Sequence, residues 1–576
     1  MCFCGTLAAQ IIHVPGDQPT IQAGIDAASD GDTVLVEEGT YVENINFIGK
    51  AITVASWFII DGDPSHIEYT VIDGSQPVDP DEGSVVRFVS GEDTTSVICG
   101  FTITGGTGTF FPYVQAMGGG GIAIDFAGAT ILNNHIEYNT IETNYYGAGG
   151  GIGAGPPDTD YFIIIRNNRI SNNSVIAYNI AEGGGIDLYN DGIVANNEIL
   201  DNSIESINQH GVGGGIYSGG WDTYNTVSIT GNVISGNKVT SFSNINYHCS
   251  GGGLFIHKND GVISHNTITE NFLNGSTMGR GAGLCIAIAD TSLLVESNLI
   301  TDNYFEGLEC WGGGIHCWYA TPGIINNLLA FNAATMGGGI FSINQQTGVI
   351  PVINNTITEN EAEEIGGGIY LLGSNAIIMN TILWNDFAQF NSEVATIDSQ
   401  LEVVYSDIDG GWPGEGNIND DPEFVDDTLF HISWWDSPCW DAGIGQVEGD
   451  GVVYYAPDHD FEGEARSGDA GVDIGADEDI MYIGTSELQV AGYRLQVFPN
   501  PAWGISKIKY QIAESKNVLI QVYDIHGAVV CTLVNENQSS GEHSIFFNTF
   551  GLPAGIYLFR LKVGDSFETG RIVILK

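Results

Sequence analysis

The stretch "AEGGGIDLYN" (residues 181–190) sets three glycines in a row before an isoleucine. Glycine loses more backbone freedom on folding than any other residue, so a triplet weakens an isolated element. Yet the phrase recurs at Gly119–Gly121, Gly149–Gly151, Gly183–Gly185, Gly213–Gly215, Gly251–Gly253, Gly281–Gly283 (with Ala282 in the middle), Gly312–Gly314, Gly337–Gly339 and Gly366–Gly368. Ile or Leu follows every copy. A second phrase, apolar-x-x-Asn-x-Ile/Leu-x-x-Asn, alternates with it. Its first Asn falls at Asn134, Asn168, Asn197, Asn232, Asn266, Asn298, Asn327, Asn355 and Asn380, and its second five residues later, from Asn139 to Asn385. The period averages about 31 residues. With nine copies and no Lys-Ser/Thr beside them, the triplets are not phosphate-cradling loops.

A period of this size marks a solenoid or an array. The apolar pieces are short, β-branched and punctuated by Gly and Asn, which signals strands and turns rather than helices. The pattern predicts an all-β chain of coils stacked about 4.8 Å apart. Equivalent Ile residues stack inside, and equivalent Asn residues form ladders at the turns. Asn suits such turns because it tolerates left-handed backbone and bonds its own main chain. The triplet reads as a tight corner entering one strand of each coil.

These features resemble the right-handed parallel β-helix repeat of the pectin-lyase-like superfamily, over roughly residues 11–480. "PTIQAGIDAASDGDTVLVEEGTYVENINFIGKAITVAS" (19–56) resembles that group's N-terminal cap, with Ile21, Ile25 and Ala28 forming one apolar helix face. "SPCWDAG" (437–443) through "VDIGADE" (472–478) is similar to its closing segment. The expected organisation is a signal-peptide remnant or plain terminus at 1–10, cap and first coils at 11–60, repeats at 61–417, a closing segment and linker at 418–484, and a separate domain at 485–576.

That last domain alternates apolar and polar residues between turn signals, as a small β-sandwich does. It resembles the C-terminal sorting domain of the type IX secretion system. The matching residues are Phe498-Pro499-Asn500-Pro501, Pro553-Ala554-Gly555-Ile556-Tyr557 and the basic-ended strand Arg571–Lys576. The resemblance implies a secreted or surface-displayed protein that engages the type IX machinery.

Charge narrows the partners. The chain carries 16 basic and 71 acidic residues, a net charge of −55. Eight of the basic residues but only seven of the acids follow residue 484, so the tail holds about +1 and the body about −56. Such a field repels nucleic acid and anionic glycans and attracts Ca²⁺, although calcium affinity needs a cage of oxygens. No run of eighteen apolar residues exists to span a membrane. The nine cysteines lack CxxC spacing and read as small buried residues.

Site candidates follow from the register. Strand alternation turns the second residue after each triplet outward. That row reads Ala123, Gly153, Asp187, Tyr217, Phe255, Cys285, His316, Phe341, Tyr370. It predicts an exposed aromatic stripe (Tyr217, Phe255, His316, Phe341, Tyr370) spaced to suit an extended glycan. Most coils also insert eight to thirteen residues between the second Asn and the glycines. Loops there are expected to wall a groove, with Tyr145, Tyr146, Tyr178, Tyr247 and Trp311 in them. Glu270 and Asp302 precede the second Asn of neighbouring coils, so their carboxylates fall about 5 Å apart. That separation fits a retaining glycosidase pair or a shared Ca²⁺, as well as a plain solvated turn. Asp420, Asp421, Asp458 and Asp460 sit in acidic loops that are further calcium candidates. The lyases of the superfamily need an Arg or Lys base, and the scattered basic residues here share no register. The leading reading is a non-catalytic surface protein that binds a neutral glycan. The alternatives are a polysaccharide hydrolase or lyase, and a passive surface stalk.

Overall fold

In the computed structural model the chain divides into two compact units, Met1–Met481 and Tyr482–Lys576. The described residues are 9–479 and 493–574, apart from 156–160, 221–223, 243–247, 276–277, 345–347, 434–435, 450, 467–470, 499–504, 513–514, 524–528, 550–551, 553–554 and 564–565.

The first unit is a parallel β-solenoid, and one coil shows its rule. Ala129–Leu132 belongs to a 14-stranded sheet (sheet I), His135–Glu137 to a 13-stranded sheet (II) and Ile152–Ala154 to a 12-stranded sheet (III). Between sheets II and III the chain makes an excursion. Thr140–Thr143 enters a six-stranded sheet (IV) and Tyr146–Ala148 a second 12-stranded sheet (V). Each strand pairs in parallel with its counterpart one coil on, as Ile152 does with Ile186 and Ile186 with Ile216. The Ile after each triplet lies inside with sheets I and II, and Ile122, Ile152, Ile186 and Ile216 are fully buried. The inserts expected as loops are therefore strands. Alternating residues give them a second core of their own, including Ile141, Val175, Ile204, Val239 and Leu273. Sheet IV ends with Tyr304–Gly307, where the inserts shorten to four or five residues.

The corner explains the glycines. The first glycine of all nine triplets has φ between +58° and +77°. At Gly183 an added Cβ would lie 2.3 Å from the Ile186 carbonyl oxygen and 2.7 Å from the Asp187 Cβ. At Gly184 and Gly185 it would meet the next coil's Gly214 and Gly215 carbonyls at 2.2 and 2.7 Å. Three interior glycines cost roughly 1.5–3 kcal/mol relative to alanine. A single fully buried Ile contributes about as much, and each coil buries several.

The asparagines do more than turn the chain. The left-handed residue is the one before each ladder position: Asn133, Asn167, Asn196, Gly231 and His265 in one ladder, Tyr138, Asn172, Asp201, Gly236 and Glu270 in the other. The ladder Asn itself is buried and bonds coil to coil. Asn232 donates its backbone N–H and its Nδ2 to Asn266 Oδ1, both at 2.9 Å, and Nδ2 also to the Val194 carbonyl at 2.8 Å. Its own Oδ1 accepts both donors of Asn197 at 2.9 Å. The ninth Asn repeat slips by one residue. Asn380 and Asn385 take the left-handed positions, and Thr381 and Asp386 accept the ladder bonds from Asn355 and Asn360. The expected register fails there because Asn serves either position.

Both ends are covered. Helix Ile21–Ala27 is capped by Thr20, buries Ile21 and Ile25, and meets Lys50 Nζ on the carbonyls of Ile25, Asp26 and Ala28. At the far end the closing segment packs on late coils, with Ile432, Cys439 and Ile474 against Ile382. Trp434 and Trp435 lie outside the described residues.

The second unit is a β-sandwich. A three-stranded antiparallel sheet (Tyr493–Phe498, Ile505–Ile512, Gly541–Asn548) shares one core with a four-stranded one (Lys516–Tyr523, Val529–Gln538, Gly555–Val563, Ser566–Ile574). Tyr557 is buried in that core and Gly555 is exposed, whereas Pro499, Asn500, Pro501 and Lys576 lie outside the described residues.

Replacing Asn232 by Ala strands two donors of Asn197 and the Val194 carbonyl in a dry interior. The expected loss is about 3 kcal/mol, from an unmet-group cost of roughly 1–3 kcal/mol each with partial relaxation. Denaturant unfolding of the Asn232→Ala chain measures it, and a loss below about 1 kcal/mol contradicts the ladder's role.

Candidate functional site

The Gly corner is acute, so the strand of sheet V and the strand of sheet III around it face each other with what would otherwise be outward side chains. Residues just before the triplet (Glu182, Val212, Ser250, Arg280, Trp311) meet the row just after it (Asp187, Tyr217, Phe255, Cys285, His316). The predicted exposed stripe is consequently buried. Tyr217, Phe255, His316, Phe341 and Tyr370 are 0–8 % exposed. The physical reason is sheet V, which leans over the row where open loops were expected. The aromatics stack along the solenoid, Tyr217 on Phe255 at 5.6 Å and Phe341 between His316 and Trp311 at 5.3 Å from each. Trp311 is half-buried and donates its indole N–H to Glu309 at 2.9 Å. Tyr145 and Tyr178 are exposed, and Tyr247 lies outside the described residues.

One end of this cleft holds an acid cluster that the sequence reading passed over. Glu182 Oε2 accepts the hydroxyls of Tyr146 and of Tyr189, the latter at 2.6 Å, and the two tyrosine oxygens lie 3.0 Å apart. Asp187 faces Glu182 and is 2 % exposed, and its Oδ1 has no partner. Burial pushes both carboxyls above their ordinary range, and Glu182 adds to the rise at Asp187. Burial likewise raises Tyr146, Tyr189 and Tyr217. The adjoining cavity, lined by Phe111, Ala116, Ala154, Asp187 and Tyr189, holds about 10 Å³, the room of one water. The signal was present in "AEGGGIDLYN": an acid on each side of a triplet, where no other copy carries an acid before it. Aligning only the residues after the glycines hid it.

A wider feature lies on the opposite side of the excursion, where sheets II and IV meet. Glu270 and Asp302 occupy left-handed turns (φ 56° and 55°) and are exposed. They line an open concavity of about 710 Å³ with Gly236, Lys238, Phe272, Tyr304 and Phe331. Phe272 and Tyr304, on neighbouring coils, have ring centres 4.7 Å apart, and Lys238 Nζ sits 5.2 Å from the Phe272 ring. Tyr304 and Phe331 are 44 % and 42 % exposed. The two carboxylates thus share a groove with aromatic walls.

The closing segment gathers a third group. His431 bridges Asp426 (Nδ1 to Oδ2, 2.5 Å) and Glu462 (Nε2 to Oε2, 2.9 Å). His431, Glu462 and Asp477 offer atoms all within 4.8 Å of one another, the one such trio among the described residues. Asp420, Asp421, Asp458 and Asp460 are not part of it. Asp460 spends its carboxylate on the backbone N–H groups of Glu462, Glu464 and Glu478, and the other three are exposed. Against the desolvation of its ring, the acids raise His431 to about 11 and His431 lowers Asp426. Protonated and bonded through both ring nitrogens to Asp426 and Glu462, the imidazolium offers no lone pair to a metal ion. Beside it Arg466 pairs with Glu478 at 2.9 Å and donates to Asn326 Oδ1 at 2.8 Å, tying the segment to an earlier coil.

With this geometry in view, comparison with known families finds one match. Residues 496–575 match the secretion system C-terminal sorting domain. The protein is thus exported through the type IX machinery to the cell surface. No curated protein matches the chain. No helix among the described residues is long and apolar enough to cross a membrane.

Asp187 gives a pH test. Its folded-state titration lies above the unfolded value of 3.8, so the folded chain keeps a proton that the unfolded chain releases. Stability therefore falls as pH rises from about 4 towards that raised value. Asp187→Asn is expected to melt a few degrees higher than the wild type at pH 7 and equally with it at pH 3. A variant less stable at pH 7 contradicts the buried-acid assignment.

Proposed function

We propose that the exported solenoid binds an extended, predominantly neutral glycan along the groove between sheets II and IV, without cleaving it. The observation that carries this reading is the pairing of Phe272 and Tyr304 in an open concavity of about 710 Å³. Aromatic faces at successive coils suit sugar rings at a similar repeat, and polar groups beside them fix orientation. Lys238, Glu270 and Asp302 supply those groups. The buried row of Tyr217, Phe255, His316, Phe341 and Tyr370 serves the cleft's packing in this reading. Calcium is a candidate bridge between Glu270 and Asp302, so binding is to be measured with and without it.

The enzymatic alternative draws on the raised carboxyls of Glu182 and Asp187, because proton-holding acids are what glycoside cleavage uses. The adjoining space of about 10 Å³ admits a water and no sugar ring, which favours binding over catalysis.

The test is a glycan array with the full chain, followed by titration of any hit. The Phe272→Ala/Tyr304→Ala pair is expected to weaken binding roughly tenfold or more. Unchanged affinity removes the groove. Reducing-end release from a polysaccharide panel, abolished by Glu182→Gln, replaces the binding reading with the enzymatic one.

A further inference from the structure

Of the buried and part-buried arginines, Arg280 alone lacks a carboxylate among the described residues. Arg87 is held by Glu82 at 2.6 Å, and Arg466, 9 % exposed, by Glu478 at 2.9 Å. Arg280 is 8 % exposed, and its Nε and Nη1 are sealed from solvent with no partner. It stands in the cleft between sheets V and III, three coils along from Glu182. A charge left unpaired in such a place is strongly destabilising. That cost persists in a body carrying 64 acids, none of which among the described residues is placed against it.

What surrounds Arg280 does not neutralise it. The guanidinium lies 4.4 Å from the Trp318 ring centre and 5.8 Å from that of Trp311. Such ring contacts attract a cation but satisfy no N–H. The nearest titratable groups are His210, His248, His316, Cys285 and Tyr319. Burial, with the field of Arg280, holds the three imidazoles neutral, His248 as low as about 3. His316 Nε2 is also buried without a partner, and its Nδ1 lies 3.6 Å from Cys285 Sγ. Three unfilled polar positions therefore lie in one stretch of the cleft, where Trp318, its ring over the guanidinium, also meets the His248 ring (centres 5.9 Å apart).

We infer that Arg280 anchors a binding site for a single carboxylate group, admitted when His248 and Trp318 part. The inference does not rest on the groove reading. Indole rings against the guanidinium leave its hydrogen-bonding capacity in the plane, and a flat carboxylate fits a slot between two sheets better than a tetrahedral oxyanion does. The negative body field disfavours polyanions and leaves a singly charged ligand as the suitable class.

The experiment compares thermal unfolding of the full chain in acetate, glucuronate, sulfate and chloride at matched ionic strength and pH, with glucose as neutral control. Both carboxylates are expected to raise the melting temperature above the chloride value, increasingly with concentration. Glucuronate surpassing acetate assigns an acidic sugar, and equal effects assign the bare carboxylate. Calorimetric titration is expected to show at least a roughly tenfold affinity loss in Arg280→Met, the worth of a charge-assisted hydrogen bond. Arg280→Gln repeats the measurement should the Met variant not fold. No carboxylate-specific shift in the wild type, or the same shift in a folded variant, overturns the site. A sulfate shift equal to that of acetate also overturns the carboxylate assignment.

Discussion

The structure depends on one backbone constraint repeated nine times. At the first glycine of each triplet the chain turns through positive φ so sharply that a Cβ would sit within 3 Å of the carbonyl three residues ahead. No L-residue accommodates that contact without moving the coil. The turn brings sheet V down onto sheet III, and that contact decides which side chains are buried. The asparagine ladders act at the other corners. They fix the coil-to-coil register through buried amides, so the glycine corners stack in line and the rows on either side of them become continuous.

From this follows the division of the surface. On the inner side of the excursion the acute corner shuts the cleft over Glu182, Asp187, Arg280 and the aromatic row. On the outer side the wider junction of sheets II and IV stays open to solvent around Glu270, Phe272, Asp302 and Tyr304. One side stores unpaired polar groups in a nearly dry space; the other presents aromatics and charges to water. Sheet IV stops at Tyr304–Gly307 while sheet V continues to Phe387–Phe390, so the open groove is confined to the middle of the solenoid and the closed cleft runs on into the late coils. The sorting domain delivers that surface outside the cell.

Much of this was legible in the sequence. Gly and Asn phrases at a common period identify parallel coils, and the Ile after each triplet points inward as strand alternation requires. The terminal domain was readable from its alternation and its ordered motifs. What was not legible depends on contacts between segments of one coil. "SVIAYNIAE" reads as loop or strand alike, and only pairing with the same segment in adjacent coils settles it as sheets IV and V. Once those sheets exist, Tyr217 and Phe255 change from exposed to buried without any change in their own register. The one-residue slip at Asn380 and Asn385 has a similar origin. Asn is competent both for left-handed backbone and for the ladder, so spacing alone does not separate the two. Glu182 and Asp187 were each visible, but their meeting is a property of the corner.

The central claim is that the corner closes the cleft, and native thiols report on it. Cys285 lies in the same row as Tyr217 and Phe255 and is fully buried, whereas Cys531 of the sandwich is partly exposed. Thiol labelling of the native protein, read by peptide mass spectrometry, is expected to modify Cys531 and to leave Cys285 untouched until the solenoid unfolds. Modification of Cys285 in the native protein at a rate matching Cys531 would contradict the account.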